Sequence, residues 1–136
     1  MNLIEQRKQQ LLDEYGIFPD AQELFEYLID KNKKAEPLPN EYKTNDYIVK
    51  GCVSSLWLVP SYSEGKCYFK SDADSLITRA VASVVCQLYS GLSPEEISQL
   101  DPECLAEVNI STHLSPNRRN GLSQLCAKIK DFAKNK

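Results

Sequence analysis

The chain of 136 residues contains a single histidine, a single tryptophan and a single methionine, and no two of its five cysteines form a CxxC pair. Successive cysteines stand 15, 19, 18 and 22 residues apart. Zinc sites and redox dithiols bring thiols together over two or a few residues, so this spacing disfavours both. An odd number of cysteines fits free thiols in a reducing compartment, and the expected location is the cytoplasm. Long apolar runs are also missing, whereas a membrane span needs ~20 such residues. The opening MNLIEQRKQQLLDEYG is charged throughout and lacks the apolar core of a secretory signal. Nor is there a surplus of positive charge: 16 Lys and Arg stand against 19 Asp and Glu, for a net charge of −3. Phosphate backbones need a concentrated basic face, so nucleic acid is not an expected partner, and neither is a membrane.

What is present is 42% hydrophobic and 26% charged residues, the balance of one globular domain spanning 1–136. A chain of this length buries roughly 65–70% of its unfolded surface, enough to fold without staples. The pattern predicts a first helix over Leu3–Tyr15, with Ile4, Leu11, Leu12 and Tyr15 as its apolar face and Gly16 as its end. A second helix is capped by Asp20, with Glu23 three residues on and Leu24, Phe25, Leu28 and Ile29 on one side. The stretch 33–46, KKAEPLPNEYKTND, reads as a surface loop. The period then changes. Ser54–Val59 and Lys66–Lys70 read as strands joined by a turn, PSYSEG, and Tyr47–Val49 reads as a third strand.

Beyond Ser71 the chain is helical, with Ile77, Ala80, Val81, Val84, Val85 and Leu88 at helix spacing. Ser71, Asp72 and Asp74 compete as its cap, and Gly91 closes it. Ser93-Pro94-Glu95-Glu96 and Asp101-Pro102 both read as helix starts. Ser115-Pro116 opens a last helix with the stripe Leu122, Leu125, Ile129 and Phe132. The expected fold is α+β, in two layers: a small antiparallel sheet of about three strands packed against helices.

Three cysteines read as packing residues, since free cysteine is among the most buried residue types, and a fourth has no evident role. Cys86 and Cys126 fall on apolar helices, Cys67 alternates with Phe69 along a strand, and Cys104 sits near a helix start that leaves room for partial exposure. Cys52 differs, because Gly51 precedes it and small polar residues follow. That setting argues for a tightly turned or mobile backbone rather than core packing. Trp57 reads as a core anchor of the hairpin, and His113 as a loop or capping residue.

The run Val49-Lys50-Gly51-Cys52-Val53-Ser54-Ser55-Leu56-Trp57-Leu58 resembles the cysteine-containing signature of the SufE family, the sulfur-acceptor proteins of iron–sulfur cluster assembly. Phe69-Lys70-Ser71-Asp72-Ala73-Asp74-Ser75-Leu76-Ile77 resembles that family's strand-to-helix junction. His113-Leu114-Ser115-Pro116-Asn117-Arg118-Arg119-Asn120-Gly121-Leu122 resembles its C-terminal motif. Val53 departs from the glutamine or threonine usual after the cysteine, and Ala80 stands near where members carry glycine.

The resemblance implies a SufE/NifU-like fold and an accessory sulfur-transfer protein rather than a stand-alone enzyme. Its first partner would be a pyridoxal-phosphate (PLP) cysteine desulfurase of the SufS kind, which it stimulates. Cys52 would accept the persulfide sulfur and pass it to a SufBCD-like scaffold for iron–sulfur clusters. PLP belongs to that partner, and no cofactor or metal is expected on this chain. The alternatives are a thiol redox protein and a non-covalent docking regulator of a desulfurase.

Only a thiolate attacks, and a thiol of pKa ~8.5 is a few per cent ionised at neutral pH. A lowering of ~1.5 units needs about 2 kcal/mol. A helix N-terminus contributes ~0.3–1 kcal/mol, and a nearby arginine can add the rest. The resemblance makes Arg118 the candidate for lining a Cys52 pocket, against the plainer reading of a solvated arginine. Arg119 is expected to be solvated. Asp74 either caps the long helix and holds the cysteine loop or is an ordinary first-turn acid. Cys52 is expected on a loop that swings between a sheltered apolar cavity and the partner's active site.

Overall fold

The structure, a computed structural model, describes residues 2–51 and 55–136. In chain order the elements are α1 (Leu3–Tyr15), α2 (Ala21–Asn32), a 3-10 turn at Asn40–Tyr42, β1 (Leu56–Ser63), β2 (Lys66–Ala73), α3 (Leu76–Tyr89), α4 (Pro94–Gln99), α5 (Cys104–Glu107) and α6 (Pro116–Lys134). The architecture is α+β, with one antiparallel hairpin packed against helices.

The hairpin is longer and its turn tighter than expected. Pro60 to Ser63 continue β1, and only Glu64 and Gly65 turn, both at positive φ (53° and 81°). Two successive left-handed residues make the turn whose twist matches that of the strands it joins. Apolar residues alternate onto one face: Leu56 and Leu58 from β1 meet Cys67 and Phe69 from β2 and are buried. Against β2 lies α3, and α6 touches β1.

The expected third strand is reduced to a single bridge, Ile48 to Trp57. Val49 N–H donates to Leu56 C=O (2.7 Å) and Leu58 N–H to Tyr47 C=O (2.9 Å). The next rung would be Tyr47 N–H to Leu58 C=O, but Tyr47 N–H donates to Thr44 C=O instead (3.2 Å), so the ladder stops there. On the other edge Cys67 exchanges two backbone bonds with Gly91 and Leu92, each 2.8 Å.

None of the three expected caps starts α3. The strand runs on through Ala73, and Ser75 caps the helix through Thr78 N–H. Asp72 instead sits 3% exposed on the hairpin face opposite Leu56 and Leu58. Its carboxylate accepts from the backbone N–H of Leu38 (3.1 Å) and Ala73 (2.8 Å) and pairs with Lys43 (3.3 Å) and Arg79 (3.1 Å). Lys43 also stands 5.8 Å above the ring of Trp57, the residue opposite Asp72 in register. Trp57 is therefore half-buried on this second face, and not a core anchor. The loop 33–46 is tied to the sheet here, with Leu38 buried.

Both N-terminal helices begin and end close to where their patterns place them, but Leu12 is 44% exposed while Ile4, Leu11 and Tyr15 are buried. Leu12 lies about 100° around the helix from Leu11 and misses the contact face. Arg7 on α1 donates to the carbonyls of Gln87, Leu88 and Ser90 (3.0, 3.1 and 2.6 Å), supplying partners to the free end of α3. A reciprocal capping box at Ser93 and Glu96 opens α4. The expected helix after Asp101-Pro102 shrinks to one turn beginning at Cys104, because the Asp101 carboxylate bonds to Glu103 N–H in a turn instead. Ser115 and Pro116 start α6, whose Leu122, Leu125 and Ile129 enter the core with Phe132 at its margin.

Candidate functional site

Cys52 lies outside the described residues, and so does the expectation of a swinging loop around it; the residues on either side of 52–54 are described. Gly51 has φ +93°, a left-handed value that side chains with a Cβ rarely adopt. Its carbonyl accepts from Asn120 Nδ2 on α6 at 2.8 Å. A Cβ on Gly51 would stand 3.0 Å from Gln124 Cγ and 3.2 Å from Asn120 Nδ2, so α6 packs directly onto the glycine. On the far side, Ser55 C=O accepts from the backbone N–H of Asp74 at 3.0 Å. Asp74 thus holds the chain beside the segment through its main chain; its side chain is exposed, and the cap role falls to Ser75.

Arg118 is exposed in the first turn of α6 and lines a narrow apolar pocket of about 20 Å³, room for about one water molecule. The other walls are Leu56, Thr78, Val81, Ala82, Leu114, Leu122 and Leu125. The site is apolar apart from the guanidinium and the threonine hydroxyl, and Leu56 is the first strand residue after the 52–54 segment. Residues 118, 122 and 125 share a helix face, and Asn120 and Gln124 share another, so α6 addresses this region twice. Arg119 lines a different groove with Asp101 and Glu103, and His113 is exposed.

The other four cysteines are free, buried and 0–6% exposed. Cys104, whose place near a helix start left room for partial exposure, is 4% exposed, because its one-turn helix lies under α1 and faces the core. Burial pushes every one of these thiols above the ordinary value of 9.0, Cys86 to about 11 and Cys126 to about 12. A protonated, inaccessible thiol is a poor nucleophile. In the native protein at pH 8, iodoacetamide is expected to label these four only as fast as the protein opens, and labelling within minutes would contradict their burial. Raised folded-state values also mean that the folded state binds protons more tightly than the unfolded one. These thiols therefore cost stability as pH climbs from 9.0 towards 11 and 12, which a pH series of unfolding midpoints checks.

Asn120 lies within the run His113 to Leu122 but is read there with no role, and Gln124 and Lys128 lie beyond it; sequence reasoning missed all three. Their spacing of four marks one helix face, but nothing in it says that residues 48–51 lie against that face. Lys128 donates to Ile48 C=O at 2.8 Å.

A hairpin against helices, a backbone pinned on both sides of residues 52–54 and an adjoining apolar pocket with one arginine define a small α+β protein that seals four of its five thiols in the core. Comparison with known proteins agrees with that class. The family model described as "SufE: Fe-S metabolism associated domain" matches residues 9–133. An uncharacterized SufE-like protein of Rhizobium etli is 31% identical over 130 residues, 92% of this chain and 88% of the relative. One from Synechocystis is 28% identical over 111 residues, 82% of this chain and 70% of the relative. The solution structure of a hypothetical protein from Thermus thermophilus superposes with a TM-score of 0.75 at 17% identity, over 95% of this chain and 94% of the other. This last likeness shows the fold. The chain belongs to the SufE family, and that membership associates it with iron–sulfur metabolism.

Proposed function

We propose that this protein accepts sulfur from a PLP-dependent cysteine desulfurase on Cys52, stimulates that enzyme by clearing its sulfur, and delivers the sulfur to an iron–sulfur scaffold in the cytoplasm. The observation that carries the reading is the fate of the other thiols. Cys67, Cys86, Cys104 and Cys126 are packed in the core with raised pKa values, which leaves Cys52 as the candidate nucleophile. Family membership supplies the association with iron–sulfur metabolism.

The transfer balances without an external oxidant. The Cys52 thiolate attacks the outer sulfur of the donor's persulfide. A new S–S bond forms on Cys52 while the donor's S–S bond breaks, and the donor sulfur leaves as a thiolate. One proton lost by Cys52 matches one available to the departing thiolate. Arg118 at the rim of the apolar pocket favours an anionic sulfur near it, whereas the apolar walls keep water and stray thiols away. A redox protein would need a resolving thiol, and the four remaining cysteines are buried away from solvent.

The test is intact-protein mass after incubation with desulfurase and cysteine. A gain of one sulfur atom, mapped to the peptide holding Cys52 and removed by a reductant, is the expected result. A desulfurase that is stimulated while this chain gains no sulfur would favour the docking regulator.

A further inference from the structure

Residues 120, 124 and 128 form one stripe along α6, and each meets the stretch that leads into Cys52. Asn120 Nδ2 donates to Gly51 C=O and Lys128 Nζ to Ile48 C=O, both at 2.8 Å. Between them the Gln124 side chain touches the position where Gly51 lacks a Cβ. Two side-chain donors, one on either side of a packed contact, hold a short irregular stretch whose own β-ladder has only one bridge. Among the described residues the stretch makes few backbone bonds of its own, and the contacts from α6 orient it.

We infer that Asn120 is a positioning residue for the sulfur transfer: by holding the Gly51 carbonyl it fixes the direction in which the chain enters Cys52. The inference rests on the transfer reading above and adds a residue to it. Asn120 and Gln124 are exposed, so their contribution to global stability is small, while the backbone they hold adjoins the nucleophile. Arg118 acts from another face of the same helix, on the pocket.

Asn120→Leu keeps the size of the side chain and removes the donor; Asn120→Gln keeps an amide. A bond of this kind contributes about 1 kcal/mol, which converts to roughly a fivefold change in a rate that depends on it. The leucine variant is expected to take up sulfur about fivefold more slowly at saturating concentration, with the half-saturating concentration unchanged. Its Cys52 should react about fivefold faster with iodoacetamide, because a freed backbone samples more arrangements, with the midpoint of the pH–rate profile unmoved. The glutamine variant should recover at least half of the uptake rate.

Opposite signs in the two assays are what a merely structural role would not produce. Equal rates in wild type and leucine variant, or labelling that spreads to the four buried cysteines, would overturn the inference. Wild-type protein that gains no sulfur at all would sink the transfer reading instead, and the iodoacetamide ratio then decides the role of Asn120 alone.

Discussion

Cys52→Ser is expected to bring sulfur uptake from cysteine and desulfurase down to the limit of detection, leaving the unfolding midpoint unchanged. A serine hydroxyl is scarcely ionised near neutral pH and is a weak nucleophile without a neighbouring base. No other thiol stands ready to replace Cys52, since the remaining four are at most 6% exposed and protonated by burial. On the proposed transfer, stimulation of the desulfurase should fall with uptake. Radiolabelled cysteine, followed by non-reducing electrophoresis, reads the result directly. Full stimulation by the serine variant would show that docking alone activates the enzyme and would end the transfer mechanism.

Asp72→Ala is expected to have the largest effect on the fold. The carboxylate joins four groups from three regions: Leu38 and Lys43 from the loop, Ala73 beside it on β2, and Arg79 on α3. Breaking a fully buried pair costs about 3–5 kcal/mol, because the partner is left uncompensated. Here the Lys43 and Arg79 side chains retain 30% and 22% exposure and regain some water. The expected loss is therefore about 2–3 kcal/mol, or roughly 10 °C in the melting midpoint. Asp72→Asn keeps one acceptor oxygen and should lose about half as much. An alanine variant melting within a degree or two of wild type would show that the loop is held by other contacts. Since β2 continues through Ala73 to the Asp74 N–H that holds Ser55, the alanine variant should also accelerate alkylation of Cys52.

Much of this molecule follows from local pattern. Spacing of Leu24, Leu28 and their neighbours, the Asp20 cap and the Ser115-Pro116 start place helices within a residue or two, because helix periodicity and capping are decided by residues a few positions apart. Core assignments for Cys67, Cys86 and Cys126 follow in the same way. Cys104 did not, since its burial depends on α1 lying over a one-turn helix about ninety positions away in sequence. The hairpin was legible and its turn was not: Pro60 and Gly65 together mark a turn region, but only the paired register shows that Glu64 and Gly65 alone make it. The third strand ends where Tyr47 N–H turns to Thr44 C=O rather than to Leu58, a choice visible only once Tyr47–Val49 is seen beside β1.

By itself, then, the amino-acid sequence determined the class of fold, the family motifs and the candidate thiol, because each is encoded in short runs of residues. Tertiary structure alone decided what surrounds that thiol's flanks. Asp72 changed from a possible helix cap to a buried junction, and Asp74 from a cap to a backbone donor. Asn120 and Lys128 became partners of a stretch some 70–80 residues earlier in the chain. Such pairings have no sequence signal of their own, because a carbonyl acceptor is present at every residue and only packing selects which one a side chain meets.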